Sequence, residues 1–232
     1  MSLAAESRSF PCATARIASL LLTALVASTL AAPAQAGPVD ANHRFERLGY
    51  SVGNVAAIVR VPDEMRAIVV TKNGEVHRVA GDRLVDELMG TIPVAQTCDG
   101  DGVLGAAWDT ATNGALFVTY MTTAPRKFAI ARLDISGAKV SAPVVLYSFG
   151  PTAGYVGCTN LGGGIAMAND GRLLVGVGDM GNGPGAGQQS VVTGKILRFN
   201  ATMPGGPAAD NPSPTSPVYC VGVRNPTRIT LD

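Results

Sequence analysis

Three short stretches of the chain hold the side chains best suited to chemistry. They are Cys98-Asp99-Gly100-Asp101-Gly102, Cys158-Thr159-Asn160-Leu161-Gly162-Gly163-Gly164 and Gly222-Val223-Arg224-Asn225-Pro226. Glycine clusters of this kind let a backbone come close to a ligand. Arg224 offers a planar fork of donors, and Asn225 an amide that both donates and accepts. Arg224 is equally suited to pairing with an acidic side chain. Asp99 and Asp101 are the nearby carboxylates that can move a proton, or simply solvated loop aspartates. Ordinary turn chemistry accounts for any one of these loops, but not for their common register.

That register comes from the elements between them. Short Val/Ile/Leu/Ala runs alternate with Gly, Asn and Asp turns, the pattern of antiparallel strands, and no helical periodicity is sustained after the first 36 residues. Three segments align. The first runs from Val55-Ala56-Ala57-Ile58-Val59 through Ala67-Ile68-Val69-Val70-Thr71 to Glu75-Val76-His77-Arg78-Val79. The second and third begin at Val103 and Gly162, and the opening Gly222 of the last loop stands 60 residues beyond Gly162. Asn73-Gly74, Asn113-Gly114 and Asp170-Gly171 mark hairpin turns that need positive φ. Outer strands at Arg83–Leu88 and Val144–Tyr147 complete four strands in the first two units. The spacing of 48, 59 and 60 residues between unit starts suits the blades of a β-propeller. The expected fold is therefore all-β, with four-stranded antiparallel blades. About three are expected, plus the first strand of a fourth at Arg228-Ile229-Thr230-Leu231. Three blades cannot close a ring, so further blades or a second chain are expected to complete it.

The N-terminus reads as an export signal. Arg8 and Arg16 precede an apolar run that ends at Ala34-Gln35-Ala36, which predicts a signal peptide over 1–36 and a partial propeller domain over 37–232, periplasmic or secreted. Removing it leaves 16 basic and 16 acidic residues, a neutral chain with no basic patch for nucleic acid. No later run is long and apolar enough to span a membrane. Cys98, Cys158 and Cys220 remain, enough for one internal disulfide and one leftover thiol, with the pairing open. The remaining histidines, His43 and His77, read as surface or packing residues, and no metal cluster is expected.

From Val55 to Leu231 the chain resembles the glucose/sorbosone dehydrogenase family, soluble sugar dehydrogenases that use pyrroloquinoline quinone (PQQ). The resemblance is strongest from Asn160 onward, where LGGGIAMANDGRLLVGVGDMG, TGKILRFN, ADNP and VGVRNP follow in the family's order. It implies a six-bladed propeller of roughly twice this length. It also implies oxidation of a sugar hydroxyl, with a small-molecule sugar as partner. Arg224 and Asn225 match the family's R-N-P motif, which contacts the quinone, and Gly162 and Gly163 match the glycines beside it.

The family's catalytic histidine begins an H-x-G-G motif, and its position here is Asn160, whose amide cannot act as a general base. Thr159 takes the often acidic position before it, Val223 a histidine position, and Gly100 a Glu or Gln position. Asp99 or Asp101 is then the candidate replacement base. The family's calcium site belongs to later blades, outside this chain. The alternative is a non-catalytic propeller module that binds carbohydrate or protein on the same face.

Overall fold

The structure is a computed structural model. It describes residues 53–62, 66–80, 85–112, 114–151, 155, 157–201 and 205–231. The expected signal peptide, His43, Asn113 and Arg83-Leu84 lie outside the described residues. Three antiparallel sheets follow one another along the chain. The first is the simple meander β1 (Val55–Arg60), β2 (Arg66–Thr71), β3 (Glu75–Ala80) and β4 (Val85–Thr91). The second holds β5 (Val103–Trp108), β6 (Ala115–Met121), β7 (Phe128–Ser136), β8 (Lys139–Val140) and β9 (Val144–Phe149). There β7 carries β9 along one stretch and β8 at its far end. The third holds β10 (Gly162–Met167), β11 (Arg172–Val177), a single helical turn α1 (Gly183–Ala186), β12 (Lys195–Asn200), β13 (Gly206–Pro207) and β14 (Val218–Val221). Gly74 and Gly171 take the positive φ that their hairpin turns require, +94° and +80°.

The two faces of β6 show how period-two alternation stacks the sheets. All seven of its residues are buried. Leu116, Val118 and Tyr120 join a core with Val70, Val76 and Ile92 of the first sheet. Phe117 and Met121 join a second core with Leu173, Val175 and Leu197 of the third. Strand β7 divides likewise, with Ala129, Ala131 and Leu133 on one side and Phe128 and Ile130 on the other. Each large side chain so buried contributes about 1.5–3 kcal/mol. A strand buried on both faces needs sheets on both sides, and that is the packing of propeller blades.

The first strands β1, β5 and β10 lie side by side as the inner strands. Each has a register shift at its start, between Val55 and Ala57, Val103 and Gly105, and Gly162 and Ile165. The same irregularity at the same place in three sheets marks one repeated unit, and each re-aims the chain just after a site-forming loop. The expected fourth opening strand differs. Residues 228–231 run without a strand ladder, although the preceding Pro226 carbonyl accepts the Gly164 N–H at 3.0 Å. The other inner strands are laddered to the second strand of their own hairpin. No such partner stands beside residues 228–231 among the described residues, so the ladder does not form.

Candidate functional site

The loops entering β5 and β10, and the segment 222–226, converge at one end of the inner strands. The turns joining second to third strands in each blade meet them there. An open cleft of about 740 Å³ lies there, and its lining includes Lys72 of the first blade's turn with Gly100, Asn160, Gly162, Asn225 and Arg228. Sequence separation is no guide to this arrangement. Lys72 belongs to the first blade's hairpin turn, yet its Nζ donates to the Gly100 carbonyl at 3.2 Å, and Val103 N–H donates to the Lys72 carbonyl at 3.0 Å.

The two inner loops are joined covalently. Cys98 and Cys158 form a disulfide with their Cα atoms 6.1 Å apart, and Cys220 is a free, exposed thiol. Gly100 packs so closely on the Cys158 carbonyl that any Cβ there would clash. Asp101 is buried beneath this junction. Its Oδ1 accepts from Arg126 Nε at 2.9 Å and Nη2 at 2.7 Å, and its Oδ2 from the Thr97 N–H and hydroxyl. Arg126 Nη2 also donates to the Gly157 carbonyl at 3.2 Å, tying a third strand of chain to the pair. Burial pushes the Asp101 carboxyl up, but the bonds from Arg126 and Thr97 and the Arg126 charge outweigh it. The carboxyl is held below the usual carboxylate range. A buried carboxylate with both oxygens engaged cannot serve as the base, so Asp101 is a clamp. Asp99 is exposed and faces a neighbouring depression that Lys72 also borders.

On the other side, Asn160 lines the cleft in the left-handed region at φ +54°. Asparagine adopts this region more readily than most residues. Its Nδ2 donates to Asp179 Oδ1 at 3.0 Å, and that oxygen also accepts the Gly181 N–H. Asp179 N–H in turn donates to the Arg224 carbonyl at 2.8 Å. Asn225 Oδ1 accepts the Gly162 N–H at 3.0 Å, and Asn225 is part of the cleft lining. Arg224 is exposed outside the cleft lining, and no hydrogen bond or ion pair holds its guanidinium among the described residues. Gly163 is held beneath, its carbonyl accepting from Thr119 Oγ1 at 2.7 Å. His77 is buried in β3 beside Glu75, outside the cleft.

The loop that carries Asp179 is itself anchored. Lys195 is fully buried, and its Nζ donates to the carbonyls of Gly185, Ala186 and Thr193 at 3.0, 2.7 and 2.7 Å. Lys72, Arg126, Asp179 and Lys195 were not among the residues expected from sequence. Asp179 sits inside the GDMG run. Lys72, beside the Asn73-Gly74 turn, is marked only once the hairpin turns are known to share the loops' end of the blades. Among the described residues, no cluster of three or more His, Cys, Asp or Glu is placed to hold a metal, and no helix is long and apolar enough to cross a membrane.

Stacked antiparallel sheets of four, five and five strands with a ligand-sized cleft at one end of their inner strands define a partial β-propeller with an axial site. Residues 54–232 match the Glucose / Sorbosone dehydrogenase family, and the chain belongs to it. Among solved structures, it is similar to the PQQ-bound aldose sugar dehydrogenase of Streptomyces coelicolor. The identity is 25% and the TM-score 0.66, over 78% of this chain and 54% of that one. A putative oxidoreductase (glucose dehydrogenase) of Thermus thermophilus shares the fold at 21% identity and TM-score 0.62, over 74% and 53%. The soluble aldose sugar dehydrogenase of Escherichia coli, in its apo-form, does so at 16% and 0.61, over 74% and 52%. The chain thus spans about half the length of these structures. Among curated proteins none matches it.

Proposed function

We propose that this chain is the site-bearing part of an exported sugar dehydrogenase that oxidises a sugar hydroxyl with PQQ held in the axial cleft. The observation that carries this reading is the donor-rich lining. Arg228 brings positive charge, Lys72 and Asn225 bring N–H donors, and no carboxylate lines the cleft among the described residues. PQQ is a planar ortho-quinone bearing three carboxylates, and such a donor set suits it. When bound, it supplies a two-electron acceptor. The chain's own residues do the rest. Asn225 is oriented by Gly162, Lys72 by Gly100, and Gly100 and Gly162 leave the walls free of side chains. Arg224 acts through its main chain, by fixing Asp179. The reading includes removal of residues 1–36, work in the periplasm or outside the cell, and a second chain or further blades closing the ring. Ile58 is 70% exposed on β1, and Tyr219 and Val221 are exposed on β14, as uncovered blade edges would be.

The test is titration of the purified protein with PQQ and calcium, followed by absorbance, then dye reduction with aldoses. Saturable binding is expected, about tenfold weaker in Asn225→Ala. A spectrum unchanged by titration overturns the quinone reading. One observation favours the alternative, a non-catalytic carbohydrate-binding module: Asn160 stands engaged with Asp179, and its amide cannot act as a general base. Sugar binding by calorimetry without quinone, and with no turnover on its addition, is its expected result.

A further inference from the structure

We propose that Lys72 is the proton acceptor of the cleft, taking the hydroxyl proton that Asn160 cannot take. The inference rests on the reading that this cleft oxidises a hydroxyl. Of the side chains lining it, only Lys72 and Arg228 carry titratable groups, since Cys158 is locked in the disulfide. A guanidinium does not deprotonate in proteins, and an asparagine amide does not titrate. Lys72 is therefore the one lining group among the described residues able to exchange a proton. Its bond to the Gly100 carbonyl uses one N–H and aims the nitrogen along the cleft wall. A neutral amine in that pose keeps its lone pair free for a substrate hydroxyl.

The surroundings shift Lys72 toward that neutral form. Burial pushes the Lys72 ammonium below the ordinary lysine range, and the Asp101 charge opposes this only in part. Asp101 is already paired with Arg126, Asp99 is exposed in the adjoining depression, and Arg228 adds a second positive charge to the cleft. In the step itself, the substrate O–H bond breaks and an N–H bond forms, so the amine becomes an ammonium. A bound ortho-quinone would supply the acceptor for the C–H hydrogen and its electron pair, which would leave the alcohol carbon as a carbonyl. The ammonium then releases its proton to water at the open mouth.

The test uses the full chain, which has four lysines, Lys72, Lys127, Lys139 and Lys195. With ε-13C lysine, the signal lost in Lys72→Met is expected to titrate below the ordinary lysine range, without any cofactor present. A Lys72 signal that titrates within the ordinary range overturns the proposal. In the PQQ-loaded protein, Lys72→Met and Lys72→Arg are expected to lower kcat about 100-fold or more and to remove the acid limb of the pH profile. Lys72→Arg keeps N–H donors but cannot accept a proton, so its loss of turnover with quinone binding intact separates proton transfer from ligand binding. Turnover in Lys72→Arg equal to the unsubstituted chain overturns the Lys72 assignment alone. Failure of the unsubstituted chain to bind PQQ overturns the dehydrogenase reading, and the proton-acceptor role with it.

Discussion

Two lysines lie within this small site region, and the protein treats them in opposite ways. Lys195 is fully buried, and all three of its N–H donors end on main-chain carbonyls. Lys72 is half-buried and makes a single bond, to Gly100. Burial lowers the pKa of both. The difference lies in what remains available. A saturated lysine is a fastener that shapes the loop of Asp179 and α1, whereas an unsaturated one facing a cleft retains capacity for a ligand.

The comparison can be broken at several points, with effects of decreasing size. The frame that positions the Gly100 carbonyl for Lys72 is closed by the disulfide, which spans 60 residues of sequence. Replacing Cys98 and Cys158 together by alanine is expected to cost about 4 kcal/mol of stability in denaturant unfolding, chiefly by freeing the unfolded chain. Lys195→Met strands three carbonyls and is expected to cost about 2–3 kcal/mol. The matching Lys72→Met is expected to cost less than about 1 kcal/mol, since only one bond is lost and a desolvated charge goes with it. Equal losses in the two variants would show that Lys72 is a fastener like Lys195.

The smallest effects lie in pH dependence. Asp101 has a lowered folded pKa, so its contribution is present above the ordinary carboxylate range. It is lost as pH falls through the folded value, loosening loop 97–101 in acid. For Lys72 the slope has the same sign, in an alkaline window instead of an acid one. Between its folded value and the ordinary lysine range, the unfolded chain holds a proton that the native chain has released, so stability rises with pH. Lys72→Met is expected to reduce the alkaline slope in stability measured against pH, leaving the part that Lys195 supplies, and an unchanged slope would contradict the lowered value.

Much of the frame was legible in the chain. The Asn73-Gly74 and Asp170-Gly171 turns, the three inner strands and the common register of the loops before them all depend on local preference and period-two alternation, which nearby residues set. The strand edges were less secure. The outer strand expected at Arg83–Leu88 is observed at Val85–Thr91, and residues 228–231 have no ladder. Strand bounds depend on a partner, and a partner is a tertiary fact.

The site divides along the same line. Sequence by itself determined the family, the glycine loops and the presence of an asparagine at position 160, because residue identity and order are carried in the chain. Only the tertiary structure decided which cysteines pair, that Asp101 is bound to Arg126 rather than open to substrate, and that Asn225 lines the cleft while Arg224 does not. It also decided that Lys72, 28 residues before Gly100, reaches the same wall. The reason is physical. Whether a carboxylate, an amine or a thiol is available depends on its burial and on who shares its hydrogen bonds, and blade stacking sets both across separations that local pattern does not record.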